Sequence, residues 1–129
     1  MIYGMTGGQV ASTSPLGAVT ATTGEGNPYR PFDLCRLVLG AGAEYAARFS
    51  VTQPLVLMAA IKKALNMETF TFIEALSPCP TQFGRRNQAD SSVQMLKALM
   101  QDCVTREQAA KMDRVVLKTK IITGEFSHE

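Results

Sequence analysis

Three glycines in the opening run Met1-Ile-Tyr-Gly-Met-Thr-Gly-Gly-Gln9 set the chemistry open to this sequence. A loop built on Gly4, Gly7 and Gly8 has no side chains to hold a ligand off, so its backbone N–H groups can turn toward an anion. Thr6 adds a hydroxyl donor. The same residues also read as a plain glycine-rich turn, because motifs this short recur by chance. A second cluster lies in Ser77-Pro-Cys-Pro-Thr-Gln-Phe-Gly-Arg-Arg-Asn87. On residue type alone, Cys79 is a loop thiol without an assigned role. Arg85 and Arg86 read either as a solvated pair or as contacts for an anion.

The other candidates for chemistry are fewer. Three cysteines, Cys35, Cys79 and Cys103, form no Cys-x-x-Cys pair. An odd number at these spacings argues against a disulfide framework and against a complete metal site within the chain. Cys35 and Cys103 fall on apolar stripes and are expected to be buried small hydrophobes. The single histidine, His128, is expected to be a solvated terminal side chain.

Both loops need elements to hold them. Ile2-Tyr3 reads as the end of a buried strand, most of which is missing, so the chain is expected to have been cut inside a ligand loop. Residues 4–31 have no helical period and are rich in Gly, Ser, Thr and Pro, a length of irregular chain that is functional or disordered. Pro31 is expected to open a short helix over about Phe32–Leu39, with Leu34, Leu37 and Val38 as its stripe. Tyr45–Phe49 reads as a strand. Thr52 and Pro54 start a helix to about Leu65, its core stripe Leu55, Met58, Ile61 and Leu65. Thr69–Leu76 is the strongest strand signal. A helix is expected from about Asp90, with Val93, Leu96, Leu99, Met100 and Cys103 on one face. Thr105 and Gln108 form a capping box for another, running to about Lys118 with Ala109, Met112 and Val116 inward. Ile121–Phe126 closes the chain as a short strand. Helices alternating with short strands predict an α/β fold with a mostly parallel sheet flanked by helices. The two loops, 4–31 and 77–87, each follow a strand and are expected at the same edge of that sheet.

Composition narrows the function classes. At 129 residues there is room for one ordinary core. The net charge of +2 gives no electrostatic case for nucleic acid or an anionic membrane. No apolar run approaches the ~20 residues that span a bilayer. The N-terminal residues carry no signal-peptide pattern, so the cytoplasm is the expected location.

Taken in order, Ile2-Tyr-Gly-Met-Thr-Gly-Gly-Gln9, Thr13-Ser14-Pro15, Pro31-Phe-Asp-Leu34, Ala41-Gly-Ala43, Ala47-Arg48, Cys79-Pro-Thr81, Phe83-Gly-Arg85, Asn87 and Gly124-Glu-Phe126 resemble the beta subunits of 2-oxoacid:ferredoxin oxidoreductases. The Cys-Pro-Thr, Phe-Gly-Arg and Asn set is most similar to the 2-oxoglutarate type. The resemblance implies that residues 1–129 are the C-terminal part of a thiamine diphosphate-binding domain, with 4–31 the cofactor loop, 77–87 the cluster-side loop, and 90–129 the C-terminal helices and tail. It implies that Gly4, Met5 and Thr6 lie against the diphosphate and thiazolium of thiamine diphosphate. It implies that the Ile2 carbonyl is one ligand of Mg²⁺, whose Asn and Gly-Asp-Gly partners are not in these residues. Cys79 matches the fourth cysteine of a [4Fe–4S] cluster. Gly7 departs from relatives that carry a Lys there, which leaves recognition of the substrate carboxylate to other groups. For Arg85 and Arg86 the anion would be coenzyme A or a carboxylate of a partner. The reaction implied is oxidative decarboxylation of 2-oxoglutarate with coenzyme A to succinyl-CoA and CO₂, electrons passing to ferredoxin, or the reverse. An alpha subunit would be the constant partner. Two other readings stay open: a noncatalytic module that keeps the fold, and a relative using pyruvate or a branched-chain 2-oxoacid. The 129 residues alone are expected to be inactive, since two of the three implied Mg²⁺ ligands and three of the four implied cysteines lie outside them.

Overall fold

A computed structural model describes residues 1–88 and 91–127. His128 and the expected helix start at Asp90 lie outside the described residues. The chain forms two compact units, one of Met1–Asp33 with Pro78–Lys97, the other of Leu34–Ser77 with Ala98–Glu129.

The second unit carries a four-stranded sheet. Strand β3 (Tyr45–Ser50) pairs in parallel with β4 (Thr71–Leu76) along its whole length, and antiparallel with β6 (Ile121–Phe126) from Ala46 to Arg48. Strand β5 (Cys103–Thr105) adds to β6 in parallel, giving the order β4-β3-β6-β5. Two of the three pairings are parallel, so the expected mostly parallel α/β sheet is present. Bonded on both sides, β3 is buried at every residue. Helix α2 (Pro54–Leu65) makes the crossover that a parallel β3–β4 pair requires. Helix α1 (Leu34–Gly40) also contacts β3 and β4, while α4 (Arg106–Ala110) contacts β5 and β6.

The core is built from Tyr45, Ala47, Phe49, Ala60 and Ala64, with Leu57, Met67 and Ile73 packed against it. This corrects the expected face of α2. Its small residues, Ala60 and Ala64, meet the strands, and Leu55, Met58, Ile61 and Leu65 are exposed. Alanines let helix and sheet backbones approach closely, and of the large residues on the same helix Leu57 packs against the core while these four are turned outward. Pro54 begins the helix as expected, but Gln53 occupies the cap position without a side-chain bond. The Thr52 hydroxyl is bonded to that of Ser50 instead.

Within the sheet, Arg48 and Glu74 are register partners joined by Nε–Oε2 at 2.7 Å, and both side chains are largely buried. Arg48 also donates to the Ile122 carbonyl at 3.4 Å. Its guanidinium lies 5.7 Å from the Phe126 ring centre, and that of Arg106 lies 5.6 Å from the same centre.

The C-terminal region differs from expectation in two ways. Cys103 starts β5 rather than ending the helix α3 (Ser92–Asp102), and Val93, Leu96 and Met100 are exposed while Leu99 is buried. The helix expected from Thr105 to about Lys118 is two helices. The Thr105–Gln108 capping box is present at the start of α4. Asp113 then caps α5 (Arg114–Leu117) by accepting from the Val115 N–H at 2.7 Å. Ala109 is buried, but Val116 is exposed.

Candidate functional site

All residues expected to touch the cofactor or the cluster fall in the first unit, which is built almost without regular structure. Its only ladder among the described residues joins β1 (Ile2–Tyr3) to β2 (Gln9–Val10), antiparallel. Ile2 is half-buried and Tyr3 exposed, so this short pair takes the place of the buried strand end expected there. The turn between them is the glycine loop. Gly8 donates to the Tyr3 carbonyl at 2.9 Å, and Gly4 to the Ile2 carbonyl at 3.1 Å. Gln9 braces the turn from inside: its Nε2 donates to the Thr6 carbonyl at 2.9 Å, and its Oε1 accepts from the Thr6 hydroxyl at 2.8 Å. Met5, at the tip, is fully exposed.

The rest of residues 10–33 is irregular but closely hydrogen-bonded, which answers the choice between function and disorder in favour of order. Asn27, buried, is the organiser. Its Nδ2 donates to the carbonyls of Ser14, Pro15 and Tyr29 at 2.9, 3.1 and 3.0 Å, and its Oδ1 accepts from the Tyr29 N–H at 3.2 Å. Ser14, also buried, accepts from the Ala11 N–H at 2.9 Å and donates to the Met1 carbonyl. The Thr20 and Thr23 hydroxyls bond one another at 2.7 Å, and Ala21 N–H reaches the Gly8 carbonyl at 2.8 Å. These bonds meet the rule that buried polar groups find partners. Composition in Ser, Thr and Asn is the signal that could have located them, but it does not say which one is central.

The loop 77–87 lies against this turn. A Cβ at Gly4 would stand 3.1 Å from Cys79 Sγ, and one at Gly8 would stand 3.0 Å from the Gln82 side chain, so a side chain at either position would push its neighbour by a few tenths of an ångström, and Gly8 also holds the positive φ of 84° that favours glycine. The carbonyl of Cys79 accepts from the Phe83 and Gly84 N–H groups, each at 3.0 Å, and a short 3₁₀ turn follows over Gly84–Arg86. The backbone amide of Gln82 holds the Cys79 thiol below the usual thiol range, against an opposing effect of burial; the amides of Phe83 and Thr81 and the Thr81 hydroxyl act in the same direction. N–H groups aimed at a sulfur favour the thiolate, the form in which cysteine binds metal. Asn87 closes the arrangement. Its Oδ1 accepts from Val19 N–H at 2.9 Å, and its Nδ2 donates to the carbonyls of Val19 and Phe83, each at 2.9 Å.

Ile2, Gly4, Met5, Thr6 and Cys79 therefore fall in one unit, where the two loops meet; but β1, the strand before the first loop, pairs with β2 and is not a strand of the four-stranded sheet at whose edge both loops are expected. Arg85 and Arg86 are exposed on the 3₁₀ turn. The other two cysteines belong to the second unit: Cys35 is buried with its Sγ 3.8 Å from Glu74 Oε2, and burial pushes the Cys103 thiol up. None of the three forms a disulfide. An open cavity of about 490 Å³ in the second unit is lined by Arg36, Leu39, Arg106, Leu117, Ile122 and Phe126, among others, and by none of the expected site residues.

The donor set tests the groups these residues were expected to hold. Among the described residues no group of three or more His, Cys, Asp or Glu side chains could hold a metal ion. Mg²⁺ demands near-octahedral oxygen coordination; the Ile2 carbonyl expected to contribute to it accepts from the Gly4 N–H at 3.1 Å. A cubane cluster takes four ligands, and the loop 77–87 offers the single thiol of Cys79. In the glycine turn the N–H groups of Gly4 and Gly8 are spent on the carbonyls of Ile2 and Tyr3. Thr6 would have to exchange its Gln9 contact for a phosphate oxygen. No helix among the described residues is long and apolar enough to cross a membrane.

Comparison with known proteins places these features in context. A family model described as the C-terminal TPP-binding domain of thiamine pyrophosphate enzymes matches residues 1–75. The chain is 48% identical over 126 residues to 2-oxoglutarate synthase subunit KorB of Methanothermobacter marburgensis, covering 98% of this chain and 44% of that one. It is 40% identical over 125 residues to the KorB subunit of Methanocaldococcus jannaschii, covering 97% of this chain and 46% of that one. It thus spans less than half the length of these relatives. The solved 2-oxoglutarate:ferredoxin oxidoreductase of Magnetococcus marinus, with 2-oxoglutarate, coenzyme A and succinyl-CoA bound, superposes with a TM-score of 0.75 over 99% of this chain and 44% of that one, at 23% identity, a likeness of fold.

Proposed function

Because this chain belongs to the family of the C-terminal TPP-binding domain of thiamine pyrophosphate enzymes, we propose that it serves as the cofactor-loop part of the beta subunit of a 2-oxoacid:ferredoxin oxidoreductase acting on 2-oxoglutarate. The reaction is oxidative decarboxylation with coenzyme A: CO₂ leaves, coenzyme A takes the succinyl group, and two electrons pass singly through an iron–sulfur cluster to ferredoxin, or the reverse. One observation carries the reading: the glycine turn and the Cys79 loop, far apart in sequence, meet with Gly4 against the Cys79 sulfur. An enzyme that must hand electrons from an organic cofactor to a cluster needs those two loops together.

When bound, thiamine diphosphate supplies the electron sink that makes decarboxylation of a 2-oxo acid possible. This chain's residues would hold and orient it. Backbone groups of Gly4 and Met5 and the Thr6 hydroxyl would face the diphosphate and the ring, and the Ile2 carbonyl would give Mg²⁺ one oxygen. Cys79, its thiol held below the usual range by backbone amides, would give a [4Fe–4S] cluster one sulfur. The remaining ligands and the coenzyme A and 2-oxoacid contacts would come from the rest of the protein and an alpha subunit, with Arg85 and Arg86 exposed for an anionic group. A cytoplasmic location follows from this reading, since ferredoxin is the electron acceptor.

The test is anaerobic turnover of the assembled enzyme with 2-oxoglutarate, pyruvate and 2-oxoisovalerate, each with coenzyme A and ferredoxin. Succinyl-CoA formation is expected to dominate, and Cys79→Ser to abolish ferredoxin reduction. Preference for pyruvate or 2-oxoisovalerate would reassign the substrate. No turnover of any of the three by an assembly that binds thiamine diphosphate would overturn the oxidoreductase reading in favour of a noncatalytic module.

A further inference from the structure

We propose that the cavity bounded by α1, α4, α5 and β6 is a binding site for a small carboxylic acid with an aliphatic body, its carboxylate held between Arg36 and Arg106. The inference stands apart from the functional reading above, whose residues do not line this cavity.

The floor of the cavity comes from β6. Ile122 and Phe126 share one face of that strand and alternate with Glu125, whose carboxylate goes to Lys63 on the other face. The walls are aliphatic, from Leu39 of α1, Ala110 of α4 and Leu117 of α5. Arg106 is laid across β6 by a gap in the strand. Gly124 has a φ of 140°, in the region that favours glycine, and a Cβ there would stand 3.6 and 3.7 Å from Cγ and Cδ of Arg106. A glycine inside a strand marks a place where another group comes close, and here that group is the arginine. Its guanidinium then lies 5.6 Å from the Phe126 ring centre and donates to the Glu125 carbonyl at 3.1 Å, so its direction is set before any ligand arrives. Arg36 lines the same cavity from α1. A guanidinium carries five N–H donors, so each of the two can serve an anion alongside the partners it has within the chain.

The lining selects the ligand. No Asp, Glu or Lys is among the described residues that line the cavity, and Glu74, the nearest carboxylate on this face of the sheet, is spent on Arg48. A bare phosphate would leave the aliphatic walls wet. A neutral hydrocarbon would make no use of the arginines, and a nucleotide would find one neutral polar side chain, Ser127, for its many polar atoms. A single carboxylate on an aliphatic chain answers both the charge and the walls. The volume of about 490 Å³ lies within the range of about 300–1,000 Å³ usual for small-ligand pockets.

The experiment uses the assembled protein. Hexanoate is the probe and hexanamide its uncharged isostere, both followed by saturation-transfer NMR and equilibrium dialysis. Hexanoate is expected to bind one site per chain, about tenfold or more tighter than hexanamide, which is the worth of one hydrogen bond to a charged group. Arg36→Gln and Arg106→Gln are each expected to remove most of that preference and to leave hexanamide binding unchanged. Should Arg106→Gln fail to fold, Arg36→Gln, at an exposed position of α1, carries the test. Ala110→Phe fills the cavity from an exposed position of α4 and is expected to lose both ligands. Equal affinity for acid and amide would make the cavity an apolar cleft and overturn the proposal. A preference for hexanoate that survives both Arg36→Gln and Ala110→Phe would place the site elsewhere and overturn it too. Displacement of hexanoate by equimolar inorganic phosphate would show a plain anion site, with the same consequence. Absence of binding at millimolar hexanoate would overturn it outright and leave the functional reading, which turnover tests, untouched.

Discussion

In the sheet-bearing unit the buried residues include Ala43, Ala46, Ala47, Phe49, Ala60 and Leu76, whereas in the loop-built unit the buried side chains larger than glycine's are those of Ser14, Thr20 and Asn27 with Ala18. The first set is held by removing apolar area from water, a diffuse force that tolerates a change of shape if volume is kept. The second is held by a directed bond at nearly every polar atom. Its geometry is correspondingly sharp, and the loss of one partner strands a carbonyl or an N–H. A turn that must present backbone groups to an anion benefits from the second kind of construction, because its backbone is fixed without a side chain standing in the ligand's way.

Four substitutions test how far that contrast reaches. The largest effect is expected inside the sheet, where it would qualify the contrast: Arg48→Leu leaves Glu74 buried without its partner and should cost about 3–5 kcal/mol in urea denaturation. Restoring neutrality with Arg48→Leu/Glu74→Leu should recover much of that loss, and an unchanged single variant would mean the pair is not buried as described. Next, Asn27→Ala takes the side-chain partner from the Ser14 and Tyr29 carbonyls and the Tyr29 N–H, while the Pro15 carbonyl keeps the Ala18 N–H, and should cost about 2–3 kcal/mol. Loss of hydrogen-exchange protection at Gly17 and Tyr29 would place the damage in the loop, and a uniform loss across both units would erase the distinction drawn above. Thr105→Ala removes an exposed capping box and should cost about 1 kcal/mol in the same assay, local to α4. The last prediction has no effect at neutral pH. Burial first, and then the Glu125 carboxylate, push the Tyr45 hydroxyl up to about 12. A folded value above the unfolded one of about 10 means that this contribution is fully present below pH ~10 and is lost as pH rises toward the folded value. Tyr45→Phe should flatten the alkaline limb of a stability–pH profile, and an identical limb would show that another group titrates there.

The sequence foretold some elements closely and misread others for physical reasons. The β-branched and aromatic run at 69–76 and the capping box at Thr105 are local signals, and both elements lie where those signals put them. The face of α2 was misread because periodicity weights large residues, while the packing uses Ala60 and Ala64. Strand β5 escaped notice because three residues carry no period, and its identity depends on pairing with β6. The break at Lys111–Asp113 was readable in Asp113 but was overridden by the apolar spacing around it. In the candidate site, residue types and order singled out the glycine turn and Cys79. The roles of Asn27 and Asn87 were not legible, since a carboxamide acting as surrogate backbone depends on which distant main-chain groups are left without partners.

Phe126 ends β6 with two guanidinium groups over its ring, at 5.7 and 5.6 Å from the centre. By formal charge, Arg48 and Arg106 are two cations sharing one neighbourhood, and the phenyl group counts for nothing. Its electron-rich face nonetheless does for them what a layer of water would, without the exchange and mobility of water. An apolar residue thus adds a share of solvation to charges that also meet the Glu74 carboxylate, for Arg48, and the Glu125 carbonyl, for Arg106. Tyrosine or tryptophan at this position could inherit that office, but leucine would fill much of the space and dissolve neither cation.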